Sequence, residues 1–533
     1  MQWSTTISAI IASLLISCSL PAHAQFGEVS FANSGPAAAQ KDFLAGLALL
    51  HNFEYEEAAE RFQAAEKIAP DFAMAYWGEA MTQNHPVWYQ EDVDAAREIL
   101  KRLGPTPEAR VAKAPTEREK LYLRSVEAMF GEGTKEERDR RYESVLEELH
   151  RNYPDDVDGS AFYALAILGT AEKGRDFATY MRAAAVLEEV FPQHSRHPGV
   201  VHYLIHCYDD AVHAPLGLRA ARIYSKIAPD ADHAQHMTSH IFLALGMWDE
   251  EVKANETAMA VVNRDRAKIG KPPAMCGHYN EWLEYGYMQQ GRIEDARRVL
   301  DGCRRVAESA AANPALNQPS GGGMMAGMTP AMMALDSYAD MRANFLVDSR
   351  LWNDEAAHWT LPAGNFPVAR LTFDYSDAFT AIRRSDLAAA REAVQRATGD
   401  RAKADAWMKD QHMDMPAVNA GWLILTEQLQ ALLAAAKGNK EEAVKELSRI
   451  AAEEHRLPLE FGPPSIYKPT DELLGELLMD LNRPEQAREA FQTALSRAPG
   501  RRPVVEGLAG AEKAMASLSG TGKGTQAEAP HTH

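Results

Sequence analysis

Residues 39–72 read AQKDFLAGLALLHNFEYEEAAERFQAAEKIAPDF. Within this 34-residue stretch Gly46, Leu49, Ala58, Phe62, Ala65 and Pro70 stand at positions 8, 11, 20, 24, 27 and 32. Small residues at 8, 20 and 27 let two antiparallel helices approach closely, and large ones at 11 and 24 fill the space between them. The proline ends the second helix, because it has no N–H to give and clashes with the preceding turn. Residues 468–501 carry the same pattern with Gly475, Leu478, Ala487, Phe491, Ala494 and Pro499.

Partial copies lie between these two. In 232–265, Gly246 and Trp248 mark the interhelix turn and Ala258 holds position 27; in 277–310, Gly291, Ala296, Leu300 and Cys303 hold positions 15, 20, 24 and 27. Segment 424–457 has Gly438, Ala443 and Leu447 at 15, 20 and 24, and 198–231 closes near Pro229. Segments at about 117–130, 136–152 and 160–190 read as further helices. The 34-residue period resembles the tetratricopeptide repeat. The fold expected is all-α: a tetratricopeptide-type α-solenoid of antiparallel helix pairs, in two helical halves.

Residues 313–335, with Pro314, Pro319, Gly321-Gly322-Gly323 and Gly327, read as a Gly/Pro/Met-rich linker or loop between an N-terminal array (25–312) and a C-terminal one (336–512). Leu457 to Pro469, with four prolines, is a second irregular stretch, and 513–533 reads as a disordered tail. Residues 1–24 read as a signal peptide: an apolar run from Ile7 to Leu20 precedes Ala22-His23-Ala24. A second reading takes Leu15-Ile16-Ser17-Cys18 as a lipoprotein site with a lipid anchor at Cys18. Either way the chain is expected to be exported, periplasmic or secreted, and no later stretch has the ~20 apolar residues needed to cross a bilayer.

The chain has 533 residues, more than one core supports, and a net charge of −19, which argues against nucleic-acid partners. After cleavage at Ala24, Cys207, Cys276 and Cys303 remain, an odd number that leaves at least one thiol unpaired. Their expected role is as buried small hydrophobes.

Eight of eighteen histidines fall within 194–240. His202 and His206 are four apart on one helix face, His236 and His240 repeat the pair, and each lies 34 residues beyond its counterpart. All four therefore occupy positions 5 and 9 of neighbouring first helices. In the next repeat, positions 2, 5 and 9 are His278, Glu281 and Tyr285. Asp209, Asp210 and His233 stand one turn away and offer a further ligand or a second acceptor. Three readings fit: one transition-metal ion (Zn, Cu, Fe or Ni) held by His202, His206, His236 and His240 with His278, Glu281 or Asp209; a metal-free polar groove for a peptide or protein; and packed core histidines. The last ranks lowest, since paired imidazoles are costly to bury without partners. A metal-dependent enzyme with Glu281 or Asp209 as general base stands as a further alternative.

Met324, Met325, Met328, Met332 and Met333 read as an apolar loop or a soft Cu(I) site, and His85 and Trp88 as a turn with an aromatic plug. No phosphate-binding glycine loop, nucleophile elbow or His-Glu-x-x-His pair is present. The repeats, together with HPGVVHYLIH at 197–206 and HAQHMTSHIF at 233–242, resemble exported bacterial tetratricopeptide-repeat proteins of undefined activity. That resemblance implies that first helices line a concave surface with positions 5 and 9 facing a ligand.

Overall fold

Small-against-large packing sets the geometry of the helix pairs. A Cβ on Gly46 would stand 3.0 Å from the Phe62 ring, and one on Gly475 only 2.6 Å from Phe491, so positions 8 and 24 meet face to face as the pattern requires. The computed structural model describes residues 25–171, 174–318, 328–411, 415–459 and 461–521. Among them are twenty-three α-helices and one pair of two-residue strands, Asn84–His85 and Gln90–Glu91. The fold is an all-α helical-repeat solenoid. The leader at 1–24, Cys18, Met324 and Met325 lie outside the described residues.

The helix pairs fall where the period places them: Ala37–His51 with Tyr55–Ile68, Pro198–Tyr208 with Ala214–Ile227, Asp232–Ala244 with Trp248–Lys268, His278–Gln289 with Ile293–Ala311, and Thr470–Asp480 with Pro484–Arg497. Local chemistry starts several of them. His197 accepts from the Val200 amide ahead of Pro198–Tyr208, and Thr134 and Glu137 form a reciprocal cap ahead of Lys135–Asn152. The 160–190 segment is two helices, Val157–Gly169 and Phe177–His194.

Four apolar clusters follow one another along the chain. One of them joins Leu300 and Cys303 to Phe345 and Phe373, so the helices on either side of 313–335 share a core. The final helix runs to Thr521, well into the segment read as a tail, because Leu508 and Ala511 pack against Phe491 and Val504. Cys276 and Cys303 form a disulfide rather than two isolated small hydrophobes, tying the segment before His278 to the helix after it; Cys207 stays free and buried.

The concave surface is not an open groove. The described residues of the proline-rich stretch 457–469 return through it: Phe461 stacks on His240 at 5.5 Å, a Cβ on Gly462 would stand 2.7 Å from Trp282, and Pro458 lies against Gly174. The last repeat also closes onto the middle of the chain. Arg501, fully buried, binds Asp348 at 2.5 Å, Glu472 at 2.7 Å and the Tyr285 hydroxyl at 3.0 Å, while the Trp248 indole donates to the Gly500 carbonyl. Every residue of the Pro198–Tyr208 helix is buried, enclosed by the helices Ala37–His51, Val157–Gly169, Phe177–His194, Ala214–Ile227 and Asp232–Ala244, which corrects the expectation of a ligand-facing stripe on it.

Candidate metal centre

The four periodic histidines share one side of the two first helices, but they do not form one pocket. They form two sets, each completed by position 2 of the following repeat. His202 and His206 meet His233, and His236 and His240 meet His278. The His202 Nε2 lies 3.1 Å from His206 Nε2 and 3.2 Å from His233 Nε2; His236 Nε2 and His240 Nε2 are 3.1 Å apart. The sets adjoin, with the rings of His206 and His240 centred 6.1 Å apart. Two ligands at ~2.05 Å on a tetrahedral ion are separated by about 3.3 Å, so these spacings suit nitrogen ligation nearly as well as a hydrogen bond.

Protons decide between the two. His202 Nδ1 faces the His51 carbonyl at 2.7 Å, an atom that only accepts, so this nitrogen carries the hydrogen and the neutral ring leaves Nε2 bare. His240 Nδ1 donates to the Asp209 carboxylate at 2.5 Å. His236 Nδ1 faces the Asn255 amide oxygen at 2.7 Å. That oxygen's orientation follows from the amide nitrogen, which donates to the Glu251 carbonyl and to Glu251 Oε1. Two neutral rings here would point lone pairs at each other across 3.1 Å, and a cation between them relieves this, either a metal ion or a proton on His240 Nε2 balanced by the Asp209 carboxylate. The inner set is less demanding, since His206 or His233 can donate one Nε2–H to His202.

Burial reinforces the neutral state. Desolvation first, and then the neighbouring imidazoles, hold His202, His206, His233 and His236 well below the ordinary histidine range. The low rank given to a core placement is therefore corrected in one respect: these rings are buried, and their partners are one another. Aromatic walls enclose both sets. Phe53 covers the inner one, with its ring 4.4 Å from His202 and 5.5 Å from His233, and Trp88 closes the rim 6.0 Å from His233. Phe53 holds a left-handed backbone (φ 60°), an unfavourable state for a bulky side chain, to reach this position. Trp282 plays the same part in the outer set, 4.3 Å from His240 and 4.8 Å from His236. His85 stacks on Tyr55 instead of reaching either set.

The remaining predicted residues divide by role. His278 completes the outer set and is exposed to a cavity of ≈340 Å³. Glu281 lines that cavity, bonded to Ser337, and is not among the convergent ligands. Asp209 is an acceptor that orients His240, so the oxygen that meets His240 is not free to act as a base. Asn255 and Glu251 escaped the reading of the sequence, although a signal existed. They occupy positions 24 and 20 of repeat 232–265, where a large apolar residue and alanine are expected. Gly286 makes room for the carboxylate, since a Cβ there would fall 1.9 Å from Glu251 Oε2.

A third convergence, His51, Asp158 and His197, has a different character. His197 Nδ1 accepts the Val200 N–H, so its Nε2–H donates to Asp158 Oδ1 at 3.1 Å. His51 Nδ1 accepts from the Tyr203 hydroxyl, so its Nε2–H donates to the same oxygen at 2.9 Å. Burial alone would raise the Asp158 pKa, but the two imidazoles outweigh it and hold the carboxyl below its usual range.

No protein-family model matches the chain, and no curated protein matches it. Solved structures similar to it include the Cut9–Hcn1 hetero-tetramer of the APC/C, with 10% identity over 90% of this chain and 78% of that one and a TM-score of 0.36. Yeast Tom70 is similar at 11% identity over 90% and 96%, with a TM-score of 0.33, and the P58(IPK) TPR domain at 12% over 90% and 99%, with a TM-score of 0.21. The fold rests on the helix pairs described above, not on these likenesses.

Proposed function

We propose that this chain is a transition-metal protein whose ions sit between the Nε2 atoms of two adjoining three-histidine sets, His202/His206/His233 and His236/His240/His278. One observation carries the reading: His236 and His240 meet Nε2 to Nε2 at 3.1 Å while acceptors hold both Nδ1 atoms, so neither neutral ring has a proton to give the other and a metal ion between them satisfies both. The acceptors behind the rings support it. A carboxylate on His240, an amide oxygen on His236 and a backbone carbonyl on His202 each fix the tautomer that leaves Nε2 to ligate. All-imidazole sets suit zinc, copper, iron or nickel. The inner set is closed by Phe53 and Trp88; the outer one reaches a cavity through His278, which leaves a coordination position open to a small molecule and gives a metal-dependent reaction a place to occur.

The test is the melting temperature of the full chain, stripped of metal and then titrated with zinc, copper, iron(II) and nickel. A ligand at a hundredfold excess over its Kd stabilises the folded state by about 2.7 kcal/mol. We expect a rise with at least one metal, most of it lost in a His206→Ala/His240→Ala double variant of unchanged helical content. No rise with any of the four overturns the reading.

A second reading, a protein-interaction module, is favoured by the architecture, since repeat solenoids present long helical faces to partners. Because 457–469 occupies the concave side, a partner would dock on the outer helices instead of in a groove. Affinity capture with the chain immobilised, compared with a variant carrying charge reversals on the outer helices, separates this from the metal reading. Export, with a mature terminus at Gln25 or a lipid-modified Cys18, belongs to the same proposal, and mass spectrometry of the mature N-terminus tests it; intact Met1 in the cytoplasm would rule it out.

A further inference from the structure

We infer that the ≈340 Å³ cavity beside the outer histidine set binds a small organic cation carrying an ammonium group. Three carboxylates face it: Glu281 from the His278–Gln289 helix, and Asp336 and Asp340, one turn apart, from Pro330–Ser349. No lysine or arginine lines the cavity, and none of the three carboxylates forms an ion pair among the described residues. Two of them have a neutral donor: Asp340 accepts from the Tyr467 hydroxyl at 2.5 Å, and Glu281 from the Ser337 side chain.

A turn beyond Asp340 on the same stripe, Asn344 also lines the cavity; it is 7% exposed, and its amide oxygen has no partner. An acceptor buried without a donor is destabilising, and its natural complement is an N–H from a ligand. Crowding is evident in the carboxyls themselves. Burial first, with repulsion from Glu281 adding to it, pushes Asp340 up to about 7, and Asp336 is raised well above the usual range by burial and by Asp340.

Size and lining select the class of cation. A bare metal ion needs no more than its ligand shell, whereas this space holds roughly ten waters at about 30 Å³ each. Its walls include Trp282, Trp422 and Phe461, whose ring faces attract an organic cation. A ligand with an ammonium at one end and a flat or apolar body would meet the carboxylates and the Asn344 oxygen at its head and the indoles along its side.

Because the cavity is built independently of any ion, binding does not require metal at the histidines, and the two proposals fail separately. The experiment is calorimetric titration of benzylamine and of benzyl alcohol, its neutral isostere, into the metal-free and the zinc-loaded full chain. We expect benzylamine to bind both forms at least tenfold more tightly than benzyl alcohol. Asp336→Asn/Asp340→Asn should lose at least tenfold for benzylamine and little for the alcohol. Trp422→Ala provides a second variant should the double one fail to fold, and should weaken both probes. Equal binding of amine and alcohol, or no amine binding up to millimolar concentration, overturns the inference even if zinc binds. Calcium binding in place of benzylamine, abolished by the same Asp→Asn pair, would make this an inorganic cation site and equally overturn it.

Discussion

Two of the three histidine clusters solve the same problem in opposite ways. Around Asp158, every ring nitrogen has a complementary partner: His51 and His197 each accept on Nδ1 and donate from Nε2 to one carboxylate oxygen. Around His236 and His240 the Nδ1 atoms donate outward, to Asn255 and Asp209, so two neutral rings would bring their Nε2 atoms together without a hydrogen between them. On the proposed reading, the identity of the residue behind each ring, acceptor or donor, decides whether the same side chain serves as a structural strut or as a ligand. A cluster of histidines is therefore no evidence of a metal by itself; the direction of its outer hydrogen bonds separates the two cases.

The comparison breaks most sharply at Asp158. Replacing it with alanine strands two buried N–H donors and removes two hydrogen bonds to a charged group, each worth about 1.5–3 kcal/mol, so Asp158→Ala should lower the unfolding free energy by about 3 kcal/mol or more. Metal bound per folded chain should not change. Denaturant unfolding and metal analysis of the same preparation check both halves, and loss of metal with intact stability would show that the roles are reversed.

Acid should act on both clusters in the same direction. His51 is lowered to about 4, and His202, His206, His233 and His236 lie well below 6.5, so the native chain stays unprotonated while the unfolded one takes up protons. Stability contributed by these groups is present above pH 6.5 and is lost as pH falls below it, at up to ~1.4 kcal/mol per pH unit for each ring. Asp340, raised to about 7, has the opposite sign and contributes stability that is lost as pH rises through 4 to 7, partly offsetting the trend. The melting temperature of metal-free protein should fall from pH 7 to pH 5, and that of metal-loaded protein should fall further as protons displace the ion. A flat profile would mean that the rings titrate normally.

Asn255→Leu sharpens the comparison with a smaller effect. It removes the acceptor that fixes the His236 tautomer and keeps the side chain's bulk, so metal affinity should drop 10- to 100-fold. The corresponding loss should be absent in His197→Asn, measured by competition with a chelator of known affinity. The smallest change is expected from Phe461→Ala, which removes one ring from above His240 and should cost about 1 kcal/mol of stability while speeding metal exchange at the outer set. Unaltered exchange would mean that access runs by another route.

The fold was legible because packing sterics repeat. Gly46 must be small where Phe62 crosses it, and the same holds for Gly475 and Phe491, so a period in the sequence becomes a period in space. The paired histidines were legible for the same reason. Their grouping was not, because it depends on which turn of the next helix reaches back: His233 and His278, at position 2, complete two separate sets where the 5-and-9 pattern joins all four histidines around one ion. The return of 457–469 through the concave side was hidden as well, since four prolines announce irregular chain but not its destination. Glu251 and Asn255 were the overlooked clue, two polar residues at positions that demand packing.

The most direct test is to read the tautomers themselves. In metal-free protein labelled with ¹⁵N-histidine, long-range ¹H–¹⁵N correlation spectra should show His236 and His240 both protonated at Nδ1 with bare Nε2, and addition of the bound metal should shift both Nε2 resonances together. If either ring carries its proton on Nε2, the pair is an ordinary hydrogen bond, the outer cluster is a structural strut like the one at Asp158, and the metal reading fails.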